Sequence, residues 1–299
     1  MVDSELLTTK EVAKYLKINE KKVYQLVKEG TIPCTRVAGK WLFPKDLIDK
    51  WIVENVEKER DIFIAGSNDL FLWAVIEEYI KKFFPDSIVY YASIGSAKGL
   101  QSLAKGKALI AATHLFDPET KTYNTPFLGK YLGNENVILV NLAYREQGFL
   151  VQKGNPLNIK DFSDLVRKEV QFINRNLGSG TRLLLDYHLA KQGIKSDQIK
   201  GYGQEVNTHL EVGLSILKGE ADVGIGIRYV ATLLNLEFIP IGWERFDLVC
   251  RQDDFYRKPV KEFFGLLEPL NIDLFFSKRF PGYDFKDTGK IIFESKHES

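Results

Sequence analysis

From residue 61 onward, short apolar runs alternate with amphipathic helical patterns, and this alternation constrains the fold more than any other feature. The runs DIFIAGS, SIVYYASIGS and KALIAATH are separated by segments with apolar residues at helical spacing. Strands that alternate with helices in this way predict a largely parallel sheet covered by helices. The fold class of this body is therefore predicted to be α/β.

Two longer extended segments divide the body into two parts. Residues 136–152, NVILVNLAYREQGFLVQ, form one long extended run, after which the alternation restarts and continues as far as the apolar run LEFIPI. A separate run, RFDLVC, then forms an extended return. A chain that crosses outward on one long strand and back on another is expected to build two lobes with a cleft between them. The first lobe is predicted at about 61–145 with 246–299, and the second at about 146–245.

The first fifty residues carry a different pattern. The capping-box sequence TTKE at Thr8 begins a short helix, and Asn19 is placed to cap a second helix after a tight turn. Residues 34–43 then predict two brief strands, and the segment around Trp51 a closing helix. We predict a winged helix-turn-helix domain at 1–52, a charged connector at 53–60 that continues the last helix, and the two-lobed domain at 61–299.

Charge is concentrated in this N-terminal segment. The chain has a net charge of +1, yet residues 1–45 hold nine Lys and Arg against five Asp and Glu. A basic head on a neutral or acidic body is the distribution expected of a DNA-binding domain.

Across about residues 6–52 the chain has, in this order, a helix cap, a tight turn, Gly-Xaa-Ile-Pro, a basic hairpin and a closing Trp. This order resembles the excisionase-like winged helix-turn-helix of the MerR superfamily. The resemblance implies double-stranded DNA as partner, with the second helix in the major groove and the wing on the backbone. It nominates seven DNA-contacting residues: Lys21, Lys22, Tyr24, Gln25, Lys28, Arg36 and Lys40. Gln25 is the one expected to read a base, and the basic residues are expected to contact phosphates.

The stretch NLGSGTR at 176–182 runs into a segment with apolar residues at helical spacing. Backbone N–H groups, two hydroxyls and a guanidinium are therefore expected around one helix N-terminus. Such a position favours anions. Other predicted strands end in small polar residues, and the carboxyl ends of strands are where ligands collect in α/β sheets. The candidate ligand-binding residues are Ser67, Ser93, Ser96, Thr113, His114, Ser179, Gly180, Thr181 and Arg182. The alternative is that the glycines only form a turn and each hydroxyl only caps a helix.

The segment FINRNLGSGTRLLLDYHL is the most specific part of a resemblance that spans most of residues 61–250. This region resembles the periplasmic-binding-protein-like (type II) domain related to molybdate- and tungstate-binding proteins. The resemblance implies a small oxyanion, most readily tungstate or molybdate, held by Ser and Thr hydroxyls and backbone N–H groups without a cofactor or a metal cation. Arg182 is left with two roles, since it can pair with the anion or brace Asp186 one helical turn away.

Together these features predict a transcriptional regulator that binds DNA in response to an oxyanion, as a homo-oligomer in the cytoplasm. No apolar run is long enough for a membrane span, and the N-terminus lacks the pattern of a signal peptide. P-loop, GxSxG and HExxH motifs are absent from the sequence, which favours a receptor over an enzyme. The alternatives are a regulator of another small anion such as a carboxylate, or a DNA-binding protein whose second domain is a ligand-free dimerisation scaffold.

Overall fold

The structure, a computed structural model, describes residues 5–58 and 61–295. The chain divides into two units, residues 1–61 and residues 62–299. Each unit has hydrophobic cores of its own.

The first unit is a winged helix-turn-helix. Its elements are β1 (Leu6–Thr8), α1 (Thr9–Tyr15), α2 (Glu20–Lys28), β2 (Thr35–Val37), β3 (Lys40–Pro44) and α3 (Lys45–Lys58). The hydroxyl of Thr8 accepts from the backbone N–H of Glu11 in a full capping box, and Asn19 caps α2. These are the caps expected from the sequence.

The wing is the hairpin of β2 and β3, which pairs with β1 in a three-stranded antiparallel sheet. Ala38 and Gly39 both have positive φ, 46° and 81°, as a two-residue hairpin turn of matching twist requires. After the wing, α3 runs from Lys45 through Trp51 to Lys58. The described part of the connector at 53–60 is therefore helical. Residues 59 and 60 of that connector lie outside the described residues.

The second unit opens with strands and helices in alternation. Its first half comprises β4 (Ile62–Gly66), α4 (Leu70–Phe83), β5 (Val89–Ser93), α5 (Ser96–Ala104), β6 (Ile110–Thr113), β7 (Phe116–Asp117), β8 (Thr122–Tyr123), α6 (Thr125–Leu132) and β9 (Val137–Val151). The remainder comprises β10 (Phe172–Arg175), α7 (Gly180–Lys191), β11 (Glu205–Val206), α8 (His209–Leu217), β12 (Val223–Ile227), α9 (Arg228–Leu234), β13 (Glu237–Arg251), α10 (Gln252–Phe255), α11 (Lys258–Gly265), α12 (Pro269–Phe275), β14 (Tyr283–Asp284) and β15 (Ile291–Glu294). Two short 3-10 helices lie at Phe162–Val166 and Ser196–Gln198.

One sheet with the strand order β11-β10-β12-β9-β13-β6-β4-β5 runs through this unit, and β14 and β15 add to β9. Strands β9 and β13 pair antiparallel along their length, while β4 is parallel to β5 and β6, and β10 is parallel to β11 and β12. We call the part built on β4, β5 and β6 the first lobe and the part built on β10, β11 and β12 the second lobe. The α/β class and the two-lobed fold are confirmed.

The return segment differs in detail from the sequence expectation. The runs LEFIPI and RFDLVC, predicted as separate extended segments, lie in the single strand β13. Register shifts between Pro240 and Gly242 and between Phe246 and Asp247 let this strand bend while it remains paired with β9. As a result, β9 and β13 are the two long strands shared by both lobes.

Candidate functional site

A cleft of about 250 Å³ lies where the two lobes meet, at the carboxyl ends of their parallel strands. The first lobe contributes the loops after β4 and β5, and the second lobe the loops after β10 and β11. The lining residues are Ser67, Asn68, Ser93, Ile94, Gly95 and Lys98 from the first lobe and Arg175, Asn176 and Asn207 from the second. Two of them are cationic and none is acidic, so the lining carries a formal charge of +2 and favours anions.

The first-lobe wall is organised by paired hydroxyls. Ser67, 3% exposed, shares a 2.9 Å hydrogen bond with Ser96, whose Oγ accepts at 3.1 Å from the backbone N–H of His114. Helix α5 begins after Gly95, which has no side chain with which to cap the helix. The first backbone N–H groups of α5 therefore remain available at the cleft, together with the positive end of the helix dipole.

The second-lobe wall is dominated by Arg175, the last residue of β10. Its side chain is buried, and its Nη2 donates to the carbonyl of Asn207 at 2.8 Å. Nε and Nη1 are buried without a hydrogen-bond partner, and no described carboxylate forms an ion pair with this guanidinium. Burial, together with the positive charge of Arg145, lowers the pKa of Arg175 to about 10, which still leaves it charged at neutral pH. A buried charge without a partner is costly, so a negatively charged acceptor at this position would be stabilising.

Helix α7, which carries the GSGTR motif, contacts the opposite lobe. Ser179 caps it by accepting from the backbone N–H of Arg182 at 3.2 Å, and Thr181 Oγ1 lies 3.4 Å from the amide nitrogen of Gln147. A Cβ at Gly180 would lie 2.5 Å from the carbonyl oxygen of His114. Gly180 therefore permits close approach of the lobes, and the hydroxyl of Ser179 has the capping role that was the alternative for this motif.

Arg182 has partners inside the second lobe. Its guanidinium donates to Glu205 at 2.9 Å and to Asp186 at 3.3 Å, and it lies 4.1 Å from the ring centre of Tyr202. These contacts tie α7 to the edge of the sheet. Of the two roles predicted for Arg182 the structure shows the bracing one, through Nε and Nη1, and its role as a ligand contact stays a prediction.

Thr113 and His114 also turn away from the cleft lining. The Thr113 hydroxyl donates to Asn124 Oδ1 at 3.1 Å, and His114 Nδ1 lies 2.8 Å from Glu244. Burial is the main cause that lowers the pKa of His114, which disfavours its charged form. Neither residue is among the lining residues of the cleft, and their role as ligand contacts stays a prediction.

Glu244 belongs to a buried charge network on the long strands. Arg145 donates to Glu244 and, at 2.8 Å, to Asp69, which also caps α4 and accepts from the Tyr283 hydroxyl at 2.7 Å. Burial by itself raises the pKa of Glu244, but Arg145 and His114 lower it to about 2. The network fixes β9 and β13 against the first lobe below the cleft.

Of the nine residues predicted from sequence, the cleft lining contains Ser67 and Ser93, and Ser96 is bonded directly to Ser67. Sequence reasoning missed the other seven lining residues: Asn68, Ile94, Gly95, Lys98, Arg175, Asn176 and Asn207. The sequence feature that could have identified Arg175 is its position at the end of a predicted strand, three residues before Gly178 of the NLGSGTR motif.

The helix-turn-helix unit presents a second candidate surface. The residues nominated on α2 and on the wing are exposed. Tyr24 of α2 lines an open groove of about 410 Å³ together with Arg36 and Lys40 of the wing. The guanidinium of Arg36 lies over the Trp41 ring, 5.5 Å from its centre. The Gln25 amide donates to Glu29 at 2.7 Å and accepts from Lys22 at 3.2 Å, so a base contact would have to replace these bonds.

Comparison with known proteins agrees with this architecture. The family model of the PBP superfamily domain matches residues 77–268, and that of a helix-turn-helix domain matches residues 6–55. The chain belongs to the PBP superfamily. Its N-terminal helix-turn-helix domain is of a kind that binds DNA.

The chain is 30% identical to the uncharacterized protein YvgK of Bacillus subtilis (strain 168), an alignment over 315 residues that covers 99% of this chain and 100% of YvgK. The PBP domain is similar in structure to a substrate-binding protein from Clostridium perfringens with bound phosphate, with a TM-score of 0.54, 17% identity and coverage of 72% of this chain and 96% of that one. It is also similar to the tungstate ABC transporter from Geobacter sulfurreducens, with a TM-score of 0.52, 14% identity and coverage of 73% and 98%. At these identities the likeness shows the fold.

No helix within residues 5–58 and 61–295 is long and apolar enough to cross a membrane. Across the same ranges, no group of three or more His, Cys, Asp and Glu side chains is placed to hold a metal ion.

Proposed function

We propose that this chain is a ligand-responsive transcriptional regulator whose PBP domain senses a small oxyanion and whose head binds DNA. The first candidates for the oxyanion are tungstate and molybdate. The observation that carries the proposal is Arg175, a buried guanidinium at the cleft with two nitrogen atoms that lack partners. An oxyanion bound there supplies the missing acceptors, and charge-assisted hydrogen bonds of this kind are among the strongest in proteins.

The described lining of the cleft offers more hydrogen-bond donors than acceptors. Arg175, Lys98 and the amide groups of α5 are placed to donate, none of the nine lining residues is a carboxylate, and Asn176 Oδ1 is a buried acceptor without a partner. Tungstate and molybdate, which carry no proton at neutral pH, would use the donors, whereas phosphate, which carries at least one, would also donate to Asn176. Phosphate is the second candidate, because the similar Clostridium perfringens structure has phosphate bound.

The same arrangement supports a receptor over an enzyme. The hydroxyls of Ser67 and Ser96 bond to each other, and none of the nine described lining residues is a His, Asp or Glu that could act as a general base. His114, whose backbone N–H donates to Ser96, is paired with Glu244 through its ring. The lining binds charge but lacks a nucleophile with a base beside it.

Binding is proposed to act by fixing the lobes relative to each other. The cationic and hydroxyl groups lie on both walls, and the lobes share β9 and β13, whose register shifts allow bending. An anion that contacts both walls favours the closed arrangement, and in a homo-oligomer this shifts the placement of the DNA-binding heads. Coupling of this kind typically amounts to about 1–3 kcal/mol. On this proposal the protein acts in the cytoplasm, where its DNA is found.

The test is calorimetric titration of the full-length protein with tungstate, molybdate, sulfate and phosphate, followed by DNA-binding titrations. The DNA is a duplex that the protein itself enriches from a random pool, and its affinity is measured with and without the bound anion. We expect tungstate and molybdate to bind most tightly and to change the affinity for DNA by about 5- to 150-fold. Failure to bind any of the four anions would refute the sensor. Anion binding without any change in the affinity for DNA would refute the coupling between the two domains, whereas the ligand-free dimerisation scaffold predicts that none of the four anions binds.

A further inference from the structure

Lys98 is a second cation at the cleft, on the wall opposite Arg175. It lies in the first turn of α5 in the first lobe, whereas Arg175 ends β10 in the second. Lys98 is exposed, and among residues 5–58 and 61–295 no side chain forms an ion pair or a hydrogen bond with its ammonium group. Each lobe thus presents one positive charge that lacks a counterion within the described chain.

We propose that Lys98 makes the cleft selective for divalent oxyanions over monovalent oxyanions of the same shape, an inference that rests on the proposed anion-sensing function. A divalent anion neutralises both Arg175 and Lys98, since the lining contains no carboxylate that already does so. A monovalent anion leaves one of the two positive charges uncompensated in a cleft that is partly removed from water.

Arg175 and Lys98 contribute to this selectivity in different ways. Arg175 is buried and fixed by its hydrogen bond to Asn207, so it is in place before the ligand arrives. Lys98 is solvated and mobile on its stem, so it is free to move onto the anion from the other lobe. The contact of Lys98 is therefore completed only when one ligand engages both walls.

The size of the effect follows from the charge of the ligand. The Coulomb energy between Lys98 and the anion is proportional to the anion charge, whatever the effective dielectric constant. The free-energy cost of removing Lys98 is therefore twice as large for a divalent anion, and the loss of affinity is the square of that for a monovalent one. A loss of about fivefold for a monovalent anion corresponds to about twenty-five-fold for a divalent anion.

The experiment uses the full-length protein and two pairs of tetrahedral anions that differ in charge, tungstate with perrhenate and sulfate with perchlorate. Affinities are measured by calorimetry at constant ionic strength for the unaltered protein and for Lys98→Gln. The matched control is Lys105→Gln, an exposed lysine at the other end of α5 that does not line the cleft. Thermal unfolding shows that all three proteins are folded.

We expect the unaltered protein to prefer tungstate over perrhenate, and Lys98→Gln to lose about twenty-five-fold for tungstate and about fivefold for perrhenate, with Lys105→Gln unchanged. Equal losses for both anions, or none, while the unaltered protein binds tungstate would overturn the role of Lys98 and leave the sensor intact. If the unaltered protein binds no anion of either pair and no molybdate or phosphate, the proposed function fails, and this inference fails with it.

Discussion

The cleft and the DNA-binding head both use positive charge, but in opposite environments. Arg175 at the cleft is 4% exposed and has donors without partners, whereas Arg36 and Lys40 of the head are exposed on the wing. A buried cation interacts strongly with one small ligand, while exposed cations are hydrated, screened by salt and effective only as a set. Binding strength is therefore expected to depend on one residue in the cleft and to be spread over many residues in the head.

The largest effect is expected for Arg175→Met. Its removal leaves a bound anion without its buried counter-charge, which should cost about 3–5 kcal/mol, or more than a hundredfold in affinity. The ligand-free protein should unfold at an unchanged or higher temperature, because an unpartnered buried charge is removed. Calorimetry with tungstate and thermal unfolding without it measure the two effects.

The control for this prediction is Arg182→Met in the same segment of chain. It removes ion pairs to partly exposed carboxylates, so we expect a loss of about 1 kcal/mol of stability and an anion affinity within about threefold of the original. If Arg182→Met loses affinity as severely as Arg175→Met, the contrast between the two arginines is wrong.

A smaller effect separates two buried serines, Ser67 after β4 and Ser179 at the N-cap of α7. Ser67→Ala removes a hydroxyl from the cleft wall and should cost about 1.5–3 kcal/mol of anion binding, or roughly ten- to over a hundredfold in affinity. Ser179→Ala removes a helix cap and should cost about 0.5–2 kcal/mol of stability, with affinity nearly intact in the folded protein. Both variants are measured by anion titration and thermal unfolding. The reverse pattern would place the anion on α7.

The smallest effect per residue is expected in the head. Arg36→Ala with Lys40→Ala should weaken DNA binding by about tenfold and reduce the slope of log affinity against log salt by about two, because each phosphate contact releases counterions. Anion affinity should not change. Fluorescence anisotropy across a salt series measures the slope, with Lys153→Ala and Lys168→Ala, exposed lysines of the PBP domain, as the control pair. An unchanged slope would remove the wing from the DNA interface.

Much of the fold was predictable because its signals are local. The caps at Thr8 and Asn19 each join groups three residues apart, and the apolar periodicity of α4 and the alternation of strands and helices span a few turns. The union of LEFIPI and RFDLVC into β13 was less visible, since it depends on pairing with β9 about a hundred residues earlier.

The candidate site was predictable only in part. Ser67 and Ser93 were recognised as polar residues at strand ends, and the structure places both in the lining. Arg175 and Arg182 are seven residues apart in one motif, yet only Arg182 is satisfied, by Glu205 and Tyr202 from the neighbouring strand and the loop before it. Which arginine is left for a ligand depends on these distant partners.

The sequence was enough to establish a helix-turn-helix head joined to a two-lobed α/β domain, because hydrogen bonds and hydrophobic spacing within a few residues specify helices, strands and caps. Only the tertiary structure decided which donors face the cleft. Residues from both lobes, between Ser67 and Asn207, are brought together there by the pairing of β9 with β13. Whether a charged side chain is available to bind a ligand depends on the groups packed around it. That packing is set by contacts between residues far apart in the chain.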